Sequence, residues 1–287
     1  MRYVFFGSPR FAKIVLENLI NNDKVPLAIV CNPDRPVGRN KVITPSETKQ
    51  FLIDKGLIDR VKVFQPEKLK IIQEDLKKLG AEVFVVAAYA KIIPESVLSL
   101  PSFGTVGVHP SLLPLYRGPS PLQQALLDGV LKTGVSIYKI DKEVDHGPVL
   151  GVKEFVIDEP LFYEELEGSL AKIGAEAVLE FVPKYLSGVL NPKEQIHNEA
   201  TFTSKFTTED GFVPYEIYKK ITEAGDEDQA SRIERMIRAL TPEPGVWTLV
   251  PQENGQERRL KLLKAHIEQD KLILDYGQWE GKRAQQF

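Results

Sequence analysis

Short apolar runs alternating with segments of helical period constrain this chain more than any other feature. Tyr3-Val4-Phe5-Phe6 closes on Gly7-Ser8-Pro9, and Phe11, Val15, Leu16 and Leu19 then recur at helical spacing. A second run, Leu27–Cys31, ends in Asn32-Pro33-Asp34. Continuous apolar strands are buried on both faces, and strand–helix–strand order makes them neighbours in a parallel sheet. The pattern continues with a helix expected near Ser46–Asp54, a strand at Val61–Val63, a helix over Pro66–Leu79, and strands at Val83–Ala88 and Gly104–His109. A Pro- and Gly-rich loop then runs to Pro121, before a helix at Leu122–Leu127. Strands at Gly134–Ile140 and Val149–Phe155 alternate as sheet-edge strands do, and a long helix at Tyr163–Leu186 closes an α/β domain, residues 1–189.

Residues 190–205 have little periodicity and read as a linker. Beyond them, helices are expected at Val213–Ala224 and Gln229–Leu240, and short strands at Val246–Val250, Arg259–His266 and Lys271–Leu274. That texture predicts a small β-rich, barrel-like domain over 206–287.

Composition narrows the function. Lys plus Arg number 37 against 40 for Asp plus Glu, which excludes an overall basic nucleic-acid coat and leaves room for a local basic patch. Cys31, the only cysteine, can form no internal disulfide and no thiolate metal cluster. The longest apolar run, Val83–Ala90, is far short of a membrane span, and the opening run is too short for a secretory leader. A cytoplasmic protein away from membranes is expected. Nothing demands a partner chain, so a monomer is expected too.

Gly7 lies where a dinucleotide fold carries its phosphate loop. The Gly-x-Gly-x-x-Gly pattern is absent and Pro9 lacks an amide, so Gly7 reads as the residue of a tight turn. A ligand is still expected beyond the carboxyl ends of the strands. The segment Gly107–Pro121 is the strongest signal. His109 closes a core strand, where a polar ring needs a partner, and imidazole is suited to moving a proton near neutral pH. A satisfied structural histidine is the competing reading. Asp145, in the loop Asp141–Pro148, would come beside His109 if the flanking strands are sheet neighbours, and would then fix the ring tautomer. Asp141, Glu143, Asp145 and His146 form no tight ligand motif, so no metal is expected.

Several stretches resemble the methionyl-tRNA formyltransferase family. They are Gly7-Ser8-Pro9-Arg10-Phe11-Ala12, Asp34-Arg35-Pro36-Val37-Gly38-Arg39, Phe64-Gln65-Pro66, Ala88–Pro94, His109–Pro114 with Arg117-Gly118, Thr133-Gly134-Val135 and Asp145–Pro148. The likeness continues through Ile237–Pro242, Pro244–Thr248 and Glu280-Gly281-Lys282, so it runs in order over nearly the whole chain. It implies a Rossmann-like formyltransferase domain followed by an OB-like one that binds tRNA. The implied reaction moves a formyl group from 10-formyltetrahydrofolate to the α-amine of methionyl initiator tRNA. The family's catalytic His and Asp match His109 and Asp145, while its Asn falls at Gly107. The resemblance also implies a folate site at Ser111, Leu112, Leu113 and Pro114, at Tyr89, Ala90, Lys91 and Ile92, and at Asp141 in the loop before Asp145. The loop Asp34–Val42, with Arg35, Arg39 and Lys41, would meet the tRNA acceptor end, and Arg117 is counted with it; a solvated loop is the plain alternative.

Gly107 is the departure. A missing oxyanion donor typically lowers turnover by about 10²–10³-fold. Three readings stay open: water replaces the amide, another residue such as His146 takes over, or the chain is a catalytically impaired folate- and tRNA-binding protein. On the first reading Gly107→Asn would raise turnover. A sugar-nucleotide N-formyltransferase is the alternative enzyme, and the likeness in the second domain favours the tRNA enzyme. Basic residues there are Arg232, Arg235 and Arg238 on one helical face and Arg258, Arg259, Lys261 and Lys264 in a strand pair.

Overall fold

Four consecutive apolar residues make β1 (Tyr3–Phe6), all of them buried, and burial on both faces places this strand inside a sheet. In this computed structural model, which describes residues 1–38 and 40–287, the chain continues through α1 (Arg10–Asn21), β2 (Ala28–Val30), β3 (Arg35–Val37) and β4 (Val42–Thr44). Next come α2 (Glu47–Asp54), β5 (Lys62–Phe64), α3 (Gln73–Lys78), β6 (Val83–Ala87), α4 (Glu95–Leu98) and β7 (Thr105–His109). Then follow α5 (Pro121–Asp128), β8 (Lys132–Lys139), β9 (Val149–Val156) and α6 (Tyr163–Leu186). Seven strands form one sheet in the order β5-β2-β1-β6-β7-β8-β9. The first five of these are parallel, and β8 and β9 join antiparallel.

The chain divides into two compact units. The first comprises Met1–Gly118, Lys132–Val156 and Glu167–Phe202, and the second Pro119–Leu131, Ile157–Leu166 and Thr203–Phe287. The core of the first unit gathers Val4, Phe6, Val30, Phe64, Leu76, Phe84 and Val97. α1 turns Phe11, Ala12, Val15, Leu16 and Leu19 inward, the helical spacing read from the sequence.

In the second unit α7 (Tyr215–Lys219) runs into a π-helical turn at Lys220–Ala224. α8 (Glu227–Leu240) is capped by Asp226, whose side chain accepts from the Gln229 amide. An antiparallel sheet follows in the order β10 (Val246–Pro251), β11 (Glu257–Glu268), β12 (Lys271–Trp279) and β13 (Gln285–Gln286).

Several elements differ from expectation, among them α4 and β13, which the sequence reading did not include. The stretch after the second strand, read as a loop, carries the hairpin β3–β4; every residue of both strands is exposed, so no burial pattern betrays it. The helix expected from Pro66 begins only at Gln73, after a 3-10 turn at Leu69–Ile72. Leu69 and Ile72 are both buried three residues apart, a spacing that a 3-10 turn satisfies as well as an α-helix does.

Candidate active site

The antiparallel pairing of β7 with β8 sets His109 opposite Ser136 and Gly107 opposite Tyr138. His109 is buried at the carboxyl end of β7. Its Nε2 donates to the Tyr116 carbonyl at 2.9 Å, since a carbonyl can only accept. Its Nδ1 lies 3.5 Å from Asp145 Oδ2. That same oxygen accepts the Gly118 amide at 2.7 Å, and Asp145 Oδ1 accepts the Tyr138 hydroxyl at 2.6 Å. His109 at the end of β7 and Asp145 in the loop after β8 are therefore brought together. Both carboxylate oxygens are directed by donors, and both imidazole nitrogens face acceptors.

At Gly107 the room that an asparagine would need is already occupied. A Cβ there would collide with Cε1 of Tyr138 and would lie 2.7 Å from Cζ and 2.9 Å from the hydroxyl oxygen. The space of a side chain at 107 belongs to the Tyr138 ring, which is only 6% exposed and meets His109 edge-on with centroids 6.3 Å apart. Burial, and then the charge of Asp145, pushes the Tyr138 phenol well above its ordinary pKa. His146, weighed as a replacement donor, is held elsewhere: its Nδ1 is 2.8 Å from Asp141 Oδ2, and its ring stacks on His197 at 4.1 Å.

The loops on either side are pinned by side chains that sequence reasoning did not single out. Ser136 donates to the Ser111 carbonyl and accepts the Leu113 amide. Ser111 itself is fully buried and donates its hydroxyl to the Leu115 carbonyl at 2.6 Å, so it shapes the turn. Leu113-Pro114 is a cis peptide, Leu113 is buried and Leu112 half-buried. Gln195 donates to the main-chain carbonyls of Asp145 (2.9 Å) and Gly147 (2.7 Å). Its own carbonyl accepts from Arg117, which also meets His197 Nδ1 at 2.9 Å. Arg117, expected at the RNA, is instead 3% exposed, with its guanidinium directed into this brace. Ser136 and Tyr138 share one face of β8, but Lys132, Thr133 and Lys139 make that strand polar enough to mask them, and Gln195 and His197 carried no signal.

The crevice wall after β6 is mixed. Tyr89 turns inward, edge-on to Phe6, and burial pushes its phenol up to about 12, with Cys31 adding to the shift. Its hydroxyl and the Asn32 side-chain carbonyl are buried without a partner among the described residues, each just past the carboxyl end of a parallel strand. Ala90 is exposed, Ile92 is 94% exposed, and Lys91 donates to the Pro66 carbonyl at 2.8 Å. Asp141 accepts the Glu143 amide besides its contact with His146. Among the described residues no group of three His, Cys, Asp or Glu is placed to hold a metal ion, and no helix is long and apolar enough to cross a membrane.

The hairpin stands on a three-way polar anchor. Asp34 accepts Gln65 and Lys49, each at 2.6 Å, and Lys49 also donates to Gln65 at 2.8 Å. The Gln65 amide, and then the Lys49 ammonium, hold the Asp34 carboxyl below its ordinary pKa. Arg35, Lys41, Val37, Val42 and Ile43 are exposed on the hairpin, and Arg39 lies outside the described residues.

Comparison with known proteins gives a consistent result. The profile of the family described as Formyl transferase matches residues 1–182, and that described as Formyl transferase, C-terminal domain, matches 227–283. Methionyl-tRNA formyltransferase of Dictyoglomus thermophilum is 37% identical over 275 residues, covering 93% of this chain and 80% of that protein. Among solved structures, methionyl-tRNA formyltransferase from Clostridium thermocellum aligns at a TM-score of 0.61 and 17% identity over 97% of this chain and 98% of that one. HypX from Aquifex aeolicus, in complex with tetrahydrofolic acid, aligns at 0.64 and 18% identity over 93% of this chain and 38% of that one. At those identities the two solved structures speak for the fold.

Proposed function

This chain belongs to the formyl transferase family, and on that premise we propose that it transfers the formyl group of 10-formyltetrahydrofolate to the free α-amine of methionyl initiator tRNA. The observation that carries the reading is the His109–Asp145 couple, 3.5 Å apart at the end of β7 in a chain matched by both family profiles. Two features support a folate at the crevice wall: exposed Ala90 and Ile92 offer backbone and apolar surface, and the buried Tyr89 hydroxyl and Asn32 carbonyl await partners.

An α-amine titrates near 7.7–8.0, so a modest base is enough to expose its lone pair. Its attack on the formyl carbon gathers negative charge on the formyl oxygen, and the folate nitrogen leaves with a proton. His109 is our candidate for moving this proton: the Tyr116 carbonyl that now accepts from its Nε2 must first release that nitrogen, while Asp145 on the opposite nitrogen keeps the ring from rotating. The basic hairpin, with Arg35 and Lys41 exposed, is our candidate for the acceptor end of the tRNA. In the second unit Arg232 on α8 and Lys264 on β11 are exposed, whereas Arg235, Arg238 and Arg258 are engaged within the unit, so the first two are our candidates there. With these proposed substrates, a cytoplasmic location is part of the same reading.

The test supplies purified protein with formyl-labelled donor and, in parallel, methionyl initiator tRNA, methionyl elongator tRNA or a nucleotide-linked amino sugar. Label on the initiator methionyl-tRNA is expected. Label on the sugar instead would replace the substrate, and donor binding without any product would make the chain a binding protein.

A further inference from the structure

We propose that Tyr138 is a positioning residue for the formyl transfer: its phenol fixes the Asp145 carboxylate, which fixes His109, and Gly107 is the opening in which its ring lies. The inference rests on the reading of the chain as a formyltransferase. It begins with the carboxylate. Asp145 has two oxygens and must present one of them to His109 Nδ1. The Gly118 amide on Oδ2 alone would leave the group free to pivot about its Cβ–Cγ bond. The Tyr138 hydroxyl on Oδ1, at the short distance typical of an O–H donor on a charged acceptor, removes that freedom.

The donor itself is rigid. Tyr138 stands in a strand paired on both sides, and its ring is wedged between the Gly107 backbone and the edge of His109. A phenylalanine would fill the same volume. The hydroxyl is therefore the informative atom, because a buried hydroxyl needs a partner and here that partner is the Asp145 carboxylate. Burial and the Asp145 charge keep the phenol protonated, so it donates across the working pH range. The opening at Gly107 belongs to the same device: any side chain there would displace the ring, and with it the hydroxyl.

The deciding variant is Tyr138→Phe, which keeps the ring and removes the donor. Its kcat should fall by about tenfold to a hundredfold, the scale of one hydrogen bond to a charged group. KM for formyl donor and for methionyl-tRNA should stay within about twofold, and the melting temperature should fall only by the one lost bond, roughly 3–12 °C. Single-turnover rates in an Asp145→Ala background give the second readout. With the carboxylate gone, Tyr138→Phe should change the residual rate by less than about twofold. An unchanged kcat in the single variant, a loss seen only in KM or melting, or the same factor in both backgrounds would each overturn the role. Wild-type protein run alongside separates the two readings: an active parent with an equally active Tyr138→Phe removes only this inference, and an inactive parent removes both.

Discussion

Asparagine at position 107 should make the protein less stable and slower. The new Cβ would stand 2.7 Å from Cζ and 2.9 Å from the hydroxyl oxygen of Tyr138. Carbon atoms in contact settle at about 3.5–4.0 Å, so the ring must withdraw by roughly 1 Å. A hydroxyl that starts 2.6 Å from Asp145 would then sit beyond the usual reach of a hydrogen bond. Overpacking typically costs about 1–3 kcal/mol, and the lost bond to a charged group about 1.5–3. Together they amount to roughly 3–6 kcal/mol, and at about 2–4 °C per kcal/mol the melting temperature should drop by at least roughly 6 °C. Gly107→Ala introduces the same Cβ and should lose most of the same stability. Both losses should shrink in a Tyr138→Ala background, where the space is open. Melting curves and quenched single-turnover formyl transfer, run on the same preparations, decide the matter. An asparagine protein that melts with its parent and transfers formyl faster would refute the reasoning.

His109→Ala should lower single-turnover transfer by about 10²-fold or more and also lower the melting temperature, because the buried ring and its bond to the Tyr116 carbonyl are lost while Asp145 keeps its Gly118 and Tyr138 donors; equal turnover by folded mutant and parent would take His109 out of the chemistry. Arg35→Ala with Lys41→Ala should leave folate affinity alone and flatten the salt dependence of tRNA binding, by roughly 0.7–0.9 in slope per phosphate contact removed; filter binding over a salt series that gives identical slopes would move both side chains off the RNA. Asp34, with its native pKa depressed by Gln65 and Lys49, stabilises the fold fully above its unfolded value of about 3.9, and that contribution fades as pH falls through the lower native value. The gap in unfolding free energy between parent and Asp34→Asn should hold steady above about pH 5 and narrow below about pH 4, and a gap undiminished in strong acid would contradict the ion-pair account.

The sheet was legible because its strands are short, apolar and buried on both faces, so that β1, β2, β6 and β7 stand out from composition alone. His109 and Asp145 were legible because polar residues beside such strands call for an explanation. The hairpin was hidden because all of its side chains are exposed and leave no period. Tyr138 was hidden for a different reason. Its meaning lies in the cross-strand register with Gly107, and a linear reading treats each position by itself. Reading Gly107 as an absence was the natural result, whereas in space it is the room another side chain occupies. Arg117 misled in the opposite direction: arginine in a loop suggests phosphate, and only its burial against Gln195 and His197 shows an internal partner.

Residues 193–201 lie between the two stretches that the family profiles match, 1–182 and 227–283. Yet Lys193 pairs with Val149, Gln195 holds the carbonyls of Asp145 and Gly147, and Thr201 meets Tyr116 and Arg117, so this short piece of chain grips both loops that meet at His109. The boundary drawn by similarity is therefore not a mechanical boundary. Anyone grafting this catalytic unit onto another protein should treat residues 193–202 as cargo that travels with the loops, and should not cut after Phe202, because Pro119–Leu131 and Ile157–Leu166 group with the residues beyond it. A graft ended at the limit of the first profile would carry His109 and Asp145 intact in sequence and leave them without the splint that keeps them facing each other.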